Sequence, residues 1–403
     1  MYSVTGSLNY AAESVIIDAE NVVEFPTLQN LVGFMWRGYT ALVGRNMVGK
    51  HVVIFPAEAQ LSETVARDNN LYAHKELNAD PTVSGYLGNN RRVKAIRLRQ
   101  APSNALALPA EYFGNPPVGT VFDTVDGVPV SNKYVVPVKA HTPQSNTNSK
   151  LWRRVEDKFL PEHYDTGQWW REQERKFRPY DHVYVTQKLH GTSVRIGNVP
   201  VKRKLNWFER LLSKLGVPVE KYYYDYIGGS RKVIKDPQNV SQDHYYDTDI
   251  WTYAAKKYGS LLPKGVVVYG ELIGYVTGTD TPIQKGYTYN VIPGGTELYV
   301  YRVAVVQEDG GLYDLSWTGV EQFCEARGLK TVPLLWEGKH EDFDPDEWVD
   351  KRYHNKFANA VPLCADSPVD EGVVIRKDGI IPTALKAKGK EFYEFETEVL
   401  NEQ

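Results

Sequence analysis

Six strand-length apolar runs, at residues 182–189, 193–199, 266–273, 298–306, 371–377 and 383–388, constrain this chain more than any other feature. Short apolar runs bounded by Gly, Pro, Asn and Asp read as strands rather than helices. Helix-period stretches fall between them, at about 206–215, 248–258 and 317–327. The mixture implies an α+β domain built on sheets with flanking helices. Charged residues sit in or beside these runs: Lys188, Glu271, Glu371, and the pair Lys386 and Lys388.

Residues 1 to about 135 read differently. They form short strands punctuated by Gly, Pro and Asn, with one helical stretch at 62–77. That pattern suits a small β-rich barrel. The polar stretch 140–150 is nearly free of apolar residues and reads as a linker. The expected division is therefore an N-terminal β-rich domain with linker over 1–150 and an α+β domain over 151–403.

Size and composition fit such a two-domain protein. The 403 residues are 42% apolar and 24% charged, which is ordinary for a globular chain long enough for two cores. No stretch reaches the ~18 apolar residues of a membrane span. The start lacks a basic and apolar leader, so no signal peptide is expected. Cys324 and Cys364 are the only cysteines, too few for a disulfide framework or a zinc site. A cytoplasmic monomer is the plain expectation. Net charge is −3, which argues against a general nucleic-acid coat. The cations are nonetheless clustered: Arg91 to Arg99, Lys150 to Arg178, and Lys202 to Lys214. Such runs are usually solvated faces and sometimes contact nucleic acid.

The embedded charges make a coherent chemical set. A lysine is protonated at neutral pH and becomes a nucleophile when neighbouring cations or a metal favour its neutral form. Lys386 and Lys388 are two apart on a strand and so point to one face. Together they would cradle a phosphate and repel Lys188. Glu271 and Glu371 would accept hydroxyl hydrogen bonds or serve in a divalent-cation network. This set suits attack by Lys188 on a nucleotide α-phosphate with loss of pyrophosphate. Taken singly, a lysine on a strand is a surface residue and Lys-x-Lys at a sheet edge is a common solubility device.

Six segments in order resemble the motifs of the covalent nucleotidyltransferases, the polynucleotide ligases and capping enzymes. Lys188-Leu189-His190-Gly191 resembles the motif whose lysine becomes nucleotidylated. Ser230-Arg231-Lys232 resembles the segment whose arginine contacts the sugar or polynucleotide end. Gly270-Glu271-Leu-Ile-Gly274 resembles the one whose glutamate binds the ribose hydroxyl. Tyr301 aligns with the aromatic that stacks on the purine. Glu371-Gly-Val-Val-Ile-Arg376 and Leu385-Lys-Ala-Lys388 complete the series, with Glu371 in the metal network.

His190 in place of Asp is similar to the RNA ligase branch. Few residues follow Lys388, which leaves no room for the C-terminal OB domain of capping enzymes and DNA ligases. Residues 49–56 and 92–109 are similar to the N-terminal OB-like module of the Deinococcus- and Naegleria-type RNA ligases. The resemblance implies a ligase-type nucleotidyltransferase domain behind an OB-like domain. It further implies ATP and Mg²⁺ or Mn²⁺ as cofactors. RNA with 5′-phosphate and 3′-hydroxyl ends, single-stranded or as a nicked duplex, would be the partner. Lys188, Arg231, Lys386 and Lys388 would be catalytic. Gln187, Leu189, His190, Gly191, Glu271, Tyr301, Glu371 and the two C-terminal lysines would hold the nucleotide, and Glu371 and Glu271 would attend the metal. An RNA guanylyltransferase, or a non-catalytic nucleic-acid-binding module on the same fold, are the alternatives.

Two features depart from that pattern. Gln187 stands where many RNA ligases carry Glu, and its amide matches the N6/N7 edge of adenine. Residues 200–228 read as an insertion with a basic amphipathic helix, either a solvated decoration or a contact to RNA backbone.

Some signals are set aside. Gly44 to His51 nearly matches a phosphate-binding loop, but His51 replaces the Ser or Thr and a strand follows where a helix is needed. His163, His182, His244, His340 and His354 lack ligand spacing, and surface or packing roles are expected. Tyr222, Tyr223, Tyr224 and Tyr226 are expected to pack or lie on the surface rather than stack on bases.

Overall fold

The computed structural model describes residues 1–135, 154–236, 248–345, 357–365, 367 and 369–401. The expected linker at 140–150, with the boundary it implies, lies outside the described residues, as do His244 and His354. The chain divides into two compact units. One comprises Met1–Thr142, Gly167–Gln173 and Lys388–Gln403; the other comprises Pro143–Thr166 and Glu174–Ala387.

The first unit is built on a seven-stranded sheet. Its order is Val121–Phe122, Ala12–Ile16, His51–Pro56, Ala105–Pro109, Tyr39–Gly44, Leu31–Trp36 and Val22–Val23. Period-2 alternation buries both faces. Val53 and Phe55 enter one apolar cluster with Leu61, Val65 and Phe122. Val52 and Ile54 enter another with Phe34, Tyr39 and Tyr393. Tyr393 comes from the helix Lys390–Asn401, an element the sequence reading did not include. The helix read at 62–77 is shorter, Glu63–Asp68, capped by the Ser62 hydroxyl on Val65 N. Asn70 then takes a positive φ of 54° and ends it. The strand expected after the near-phosphate-loop is present at His51–Pro56.

Arg92 gives the first basic cluster a structural purpose. Its side chain is fully buried and bonds both Glu58 oxygens at 2.5 to 3.1 Å. Arg97 pairs with Glu394 at 2.7 Å. These arginines hold the fold together through carboxylates.

The second unit carries two sheets. One runs in the order Thr383–Lys388, Gly372–Lys377, His182–Lys188, Leu334–Lys339. The other runs Ile234–Lys235, Tyr222–Gly229, Thr192–Lys202, Val266–Gly274, Thr296–Val306, Leu312–Asp314. Three helices match the sequence periods: Trp207–Lys214, Ile250–Tyr258 and Trp317–Glu325. Asn206, Asp249 and Ser316 cap them, each accepting from a backbone N–H three residues on. Val199, Val201, Ile227, Val267 and Tyr269 form a core beneath the second sheet, with Tyr222 and Tyr223 packed against it. The α+β expectation is borne out. The strands Tyr222–Gly229 and Leu334–Lys339 were not read from sequence.

Candidate active site

Strand register in the second unit assembles the charged residues. Lys188 ends its strand directly opposite Gly372, the neighbour of Glu371. The Lys188 Nζ accordingly lies 2.8 Å from Glu371 Oε1, and Glu371 is buried. After a tight turn the chain re-enters the other sheet, where Ser193 sits opposite Glu271. The Ser193 hydroxyl donates to Glu271 Oε2 at 3.3 Å and Gly191 N donates to Oε1 at 3.2 Å. A Cβ at Gly191 would stand 2.2 Å from the Leu272 carbonyl oxygen, so only glycine lets the turn approach that strand.

The turn is held from a third direction. His190 N donates to the Tyr289 hydroxyl at 2.7 Å, and the Gln284 amide donates to Gly191 O at 2.8 Å. The His190 ring packs edge-on against Tyr287, 4.9 Å between centroids, and its Nδ1 lies 3.5 Å from Glu371 Oε2. Glu371 is therefore shared by Lys188 and His190. The segment 284–289 was not singled out in sequence; its tyrosines carry no spacing that marks them.

A cleft with a cavity volume of about 150 Å³ opens beside these residues. Gln187, Lys188, Leu189, Glu271, Tyr301, Lys386 and Arg231 all line it, on elements from five parts of the chain. Arg231 is exposed and donates to Asp165 at 2.5 Å. Lys388 does not line the cleft. As the last residue of its strand it falls just past the end of the second unit and is counted with the first, where its Nζ is 3.1 Å from both Glu396 oxygens and lies over the Phe392 ring.

Gln187 is buried at the cleft wall, with its amide held by one backbone position. Its Nε2 donates to Val361 O at 2.9 Å, and Val361 N donates to its Oε1 at 2.7 Å. One N–H and one lone pair of the amide remain beyond those two bonds.

His163, for which a surface or packing role is expected, packs against the Tyr164, Tyr269 and Tyr301 rings and lines the cleft. Its ring lies 5.1 Å from that of Tyr301, and its Nδ1 faces Arg302 Nη1 at 3.4 Å. Arg302 is locked between the Tyr164 and Tyr269 rings and bonded to Asp314 at 2.5 and 3.0 Å. Burial, and then the cations Arg302, Arg231 and Arg376, hold the His163 imidazole neutral, well below its usual range. Only its position in space, not its sequence spacing, marks it.

Burial sets the protonation of Glu271. Desolvation pushes the Glu271 carboxyl up to about 7; Lys188 opposes this and Glu371 adds to it. A carboxyl poised near neutrality in a cleft is a functional-site signature. Among the described residues, no group of three or more His, Cys, Asp or Glu could alone hold a metal. The carboxylates Glu271 and Glu371, which act on one another electrostatically, still fit Mg²⁺ or Mn²⁺. Mg²⁺ usually binds through one or two carboxylates together with substrate phosphates and water.

Comparison with known proteins bears on the family and the fold. A family model described as RNA ligase matches residues 181–388. No curated protein matches the sequence. Among solved structures, a Naegleria gruberi RNA ligase with PPi superposes with a TM-score of 0.62 at 14% identity, covering 97% of this chain and 99% of that one. A lysine variant of that ligase with ATP and Mn gives 0.58 at 15%, covering 98% and 100%. Another, with AMP and Mn, gives 0.60 at 13%, covering 96% and 99%. At such identities these likenesses establish a shared fold.

Proposed function

We propose, from the premise that this chain belongs to the RNA ligase family, that it is an ATP-dependent enzyme joining RNA ends through a covalent lysyl-AMP at Lys188. The observation that carries the reading is the 2.8 Å approach to buried Glu371 of the Nζ of Lys188, which lines a cleft together with Glu271, Lys386 and Arg231. An amine must lose a proton before it attacks, and Glu371 is the acceptor within hydrogen-bond reach.

In the first step the Lys188 amine attacks the α-phosphorus of ATP. A phosphoramidate bond forms and pyrophosphate leaves. Lys386 supplies fixed positive charge to the phosphates, a charge-positioning role. Glu271 accepts from the ribose hydroxyl, and Tyr301 stacks on the base. In the second step a 5′-phosphate oxygen attacks the same phosphorus and frees Lys188, leaving an adenylylated RNA end. In the third a 3′-hydroxyl attacks the 5′-phosphorus, forms the phosphodiester and expels AMP. A divalent cation attended by Glu371 and Glu271 supplies charge neutralisation at the phosphates.

Naegleria ligase structures that hold ATP, AMP and Mn support the choice of nucleotide and metal. The first unit is read as an OB-like module that positions the RNA end. The deciding experiment is intact mass after incubation with ATP or GTP and metal. The wild type gains one AMP from ATP. Lys188→Ala gains nothing; a variant that still takes up AMP overturns the reading.

A further inference from the structure

The strands that frame the cleft do not stop there. Thr192–Lys202 is eleven residues long, about 35 Å at strand rise. It begins beside cleft residue Ser193 and continues away from it. Tyr222–Gly229 runs back alongside it, in register from Lys202↔Tyr222 to Arg195↔Gly229, and leads to Arg231 in the cleft. The helix Trp207–Lys214 closes this arm at its far end.

The helix turns its apolar face outward. Trp207 is 78% exposed, Leu211 46% and Leu215 69%, at i, i+4 and i+8, with Phe208 at 51% beside them. The Trp207 and Phe208 rings meet edge to face at 5.8 Å. This is no fraying end, since Asn206 and Glu209 form a reciprocal capping box and Arg203 pairs with Glu209 at 2.7 Å. Residues 200–228 hold six cations against three carboxylates, in a chain whose net charge is −3. Lys204, Arg210, Lys214 and Lys221 are all exposed there. The excess positive charge is thus concentrated around an exposed aromatic pair.

We infer that this arm is a second RNA-contact site, which grips single-stranded RNA away from the joined end. Trp207 and Phe208 offer faces on which bases stack, and the surrounding cations follow the phosphates. Charge complementarity selects a polyanion. Continuity of the arm's two strands with the cleft selects the polyanion whose end is processed there. The inference rests on the proposed function for the identity of that polyanion.

The test measures binding of a fluorescent 5′-phosphorylated single-stranded RNA across a salt series. The full chain is compared with Trp207→Ala/Phe208→Ala and with Arg210→Glu/Lys214→Glu/Lys221→Glu, lysyl-AMP formation from ATP being followed in parallel. Each variant is expected to bind RNA about tenfold more weakly, and the charge-reversed one to show a shallower salt dependence. Both should form lysyl-AMP at the wild-type rate. The charge variant keeps the apolar face intact, so a folding defect from the aromatic change does not decide the outcome. Unchanged RNA affinity in both variants overturns the inference. So does loss of binding to phosphatidylserine vesicles, or of self-association, with RNA affinity retained. A wild type that binds RNA through the arm yet forms no lysyl-AMP sinks the proposed chemistry and leaves the arm standing.

Discussion

Lys188 and Glu371 face each other across paired strands, amine to carboxylate at 2.8 Å, because Lys188 is in register with Gly372. Replacing Glu371 with Gln keeps the shape and removes the proton acceptor. Single-turnover adenylylation should slow by about 10²–10⁴-fold, the usual contribution of a positioned general base. Intact-mass time courses measure this. A rate within threefold of wild type, roughly 0.7 kcal/mol, would remove Glu371 from the proton-transfer role.

Glu271 makes stability depend on pH. Its folded-state pKa of about 7 lies above the ordinary 4.5. Its contribution is therefore fully present below pH 4.5 and is lost as pH rises through about 7. The nucleotide-free protein should lose up to ~3 kcal/mol from this group over that window, at about 1.36 kcal/mol per unit. Denaturant unfolding at a series of pH values should show Glu271→Gln with a flatter profile than wild type. Parallel profiles would refute the assignment.

Gly191 should tolerate no side chain. The Cβ of Gly191→Ala would meet Leu272 O at 2.2 Å, an overlap that backbone movement alone can relieve. A loss of about 1–3 kcal/mol in unfolding free energy is expected, together with slowed adenylylation as Lys188 and Glu271 move apart. Thermal melts and intact mass report the two effects.

Glu58→Gln should destabilise the first unit strongly. It would leave the fully buried Arg92 guanidinium facing an amide where it now meets a carboxylate. Breaking a buried pair from one side costs about 3–5 kcal/mol. Urea unfolding measures the change, and Glu58→Met/Arg92→Met should recover much of it.

Much of the second unit was legible in the sequence because its strands are short apolar runs ended by glycine. The strand read at 182–189 is His182–Lys188, and the one read at 266–273 is Val266–Gly274. Tyr222–Gly229 was missed because YYYDYIGG reads as surface aromatics until a partner strand defines its faces. Leu334–Lys339 was missed because glutamate and glycine interrupt a short edge strand. Lys188, Glu271, Glu371 and Lys386 were singled out because each sets a charge in or beside an apolar strand, and Arg231 because its segment resembles a family motif. His163 and Asp165 were not found. They lie in the segment that Tyr269 ties down by donating to Pro161 O, and His163 there lines the cleft. Arg92 and Arg154 looked like surface cations; folding buries them against Glu58 and against Asp225 and Asp236.

The Gln187 amide bonds a donor and an acceptor of the same residue, Val361. A carboxylate there would keep the acceptor but turn a lone pair toward the Val361 carbonyl, two negative ends in a dry wall. Swapping this glutamine for the acid more common among RNA ligases is thus barred unless Val361 moves with it. Any side chain at position 187 therefore has to satisfy both the C=O and the N–H of a residue 174 positions away in the chain.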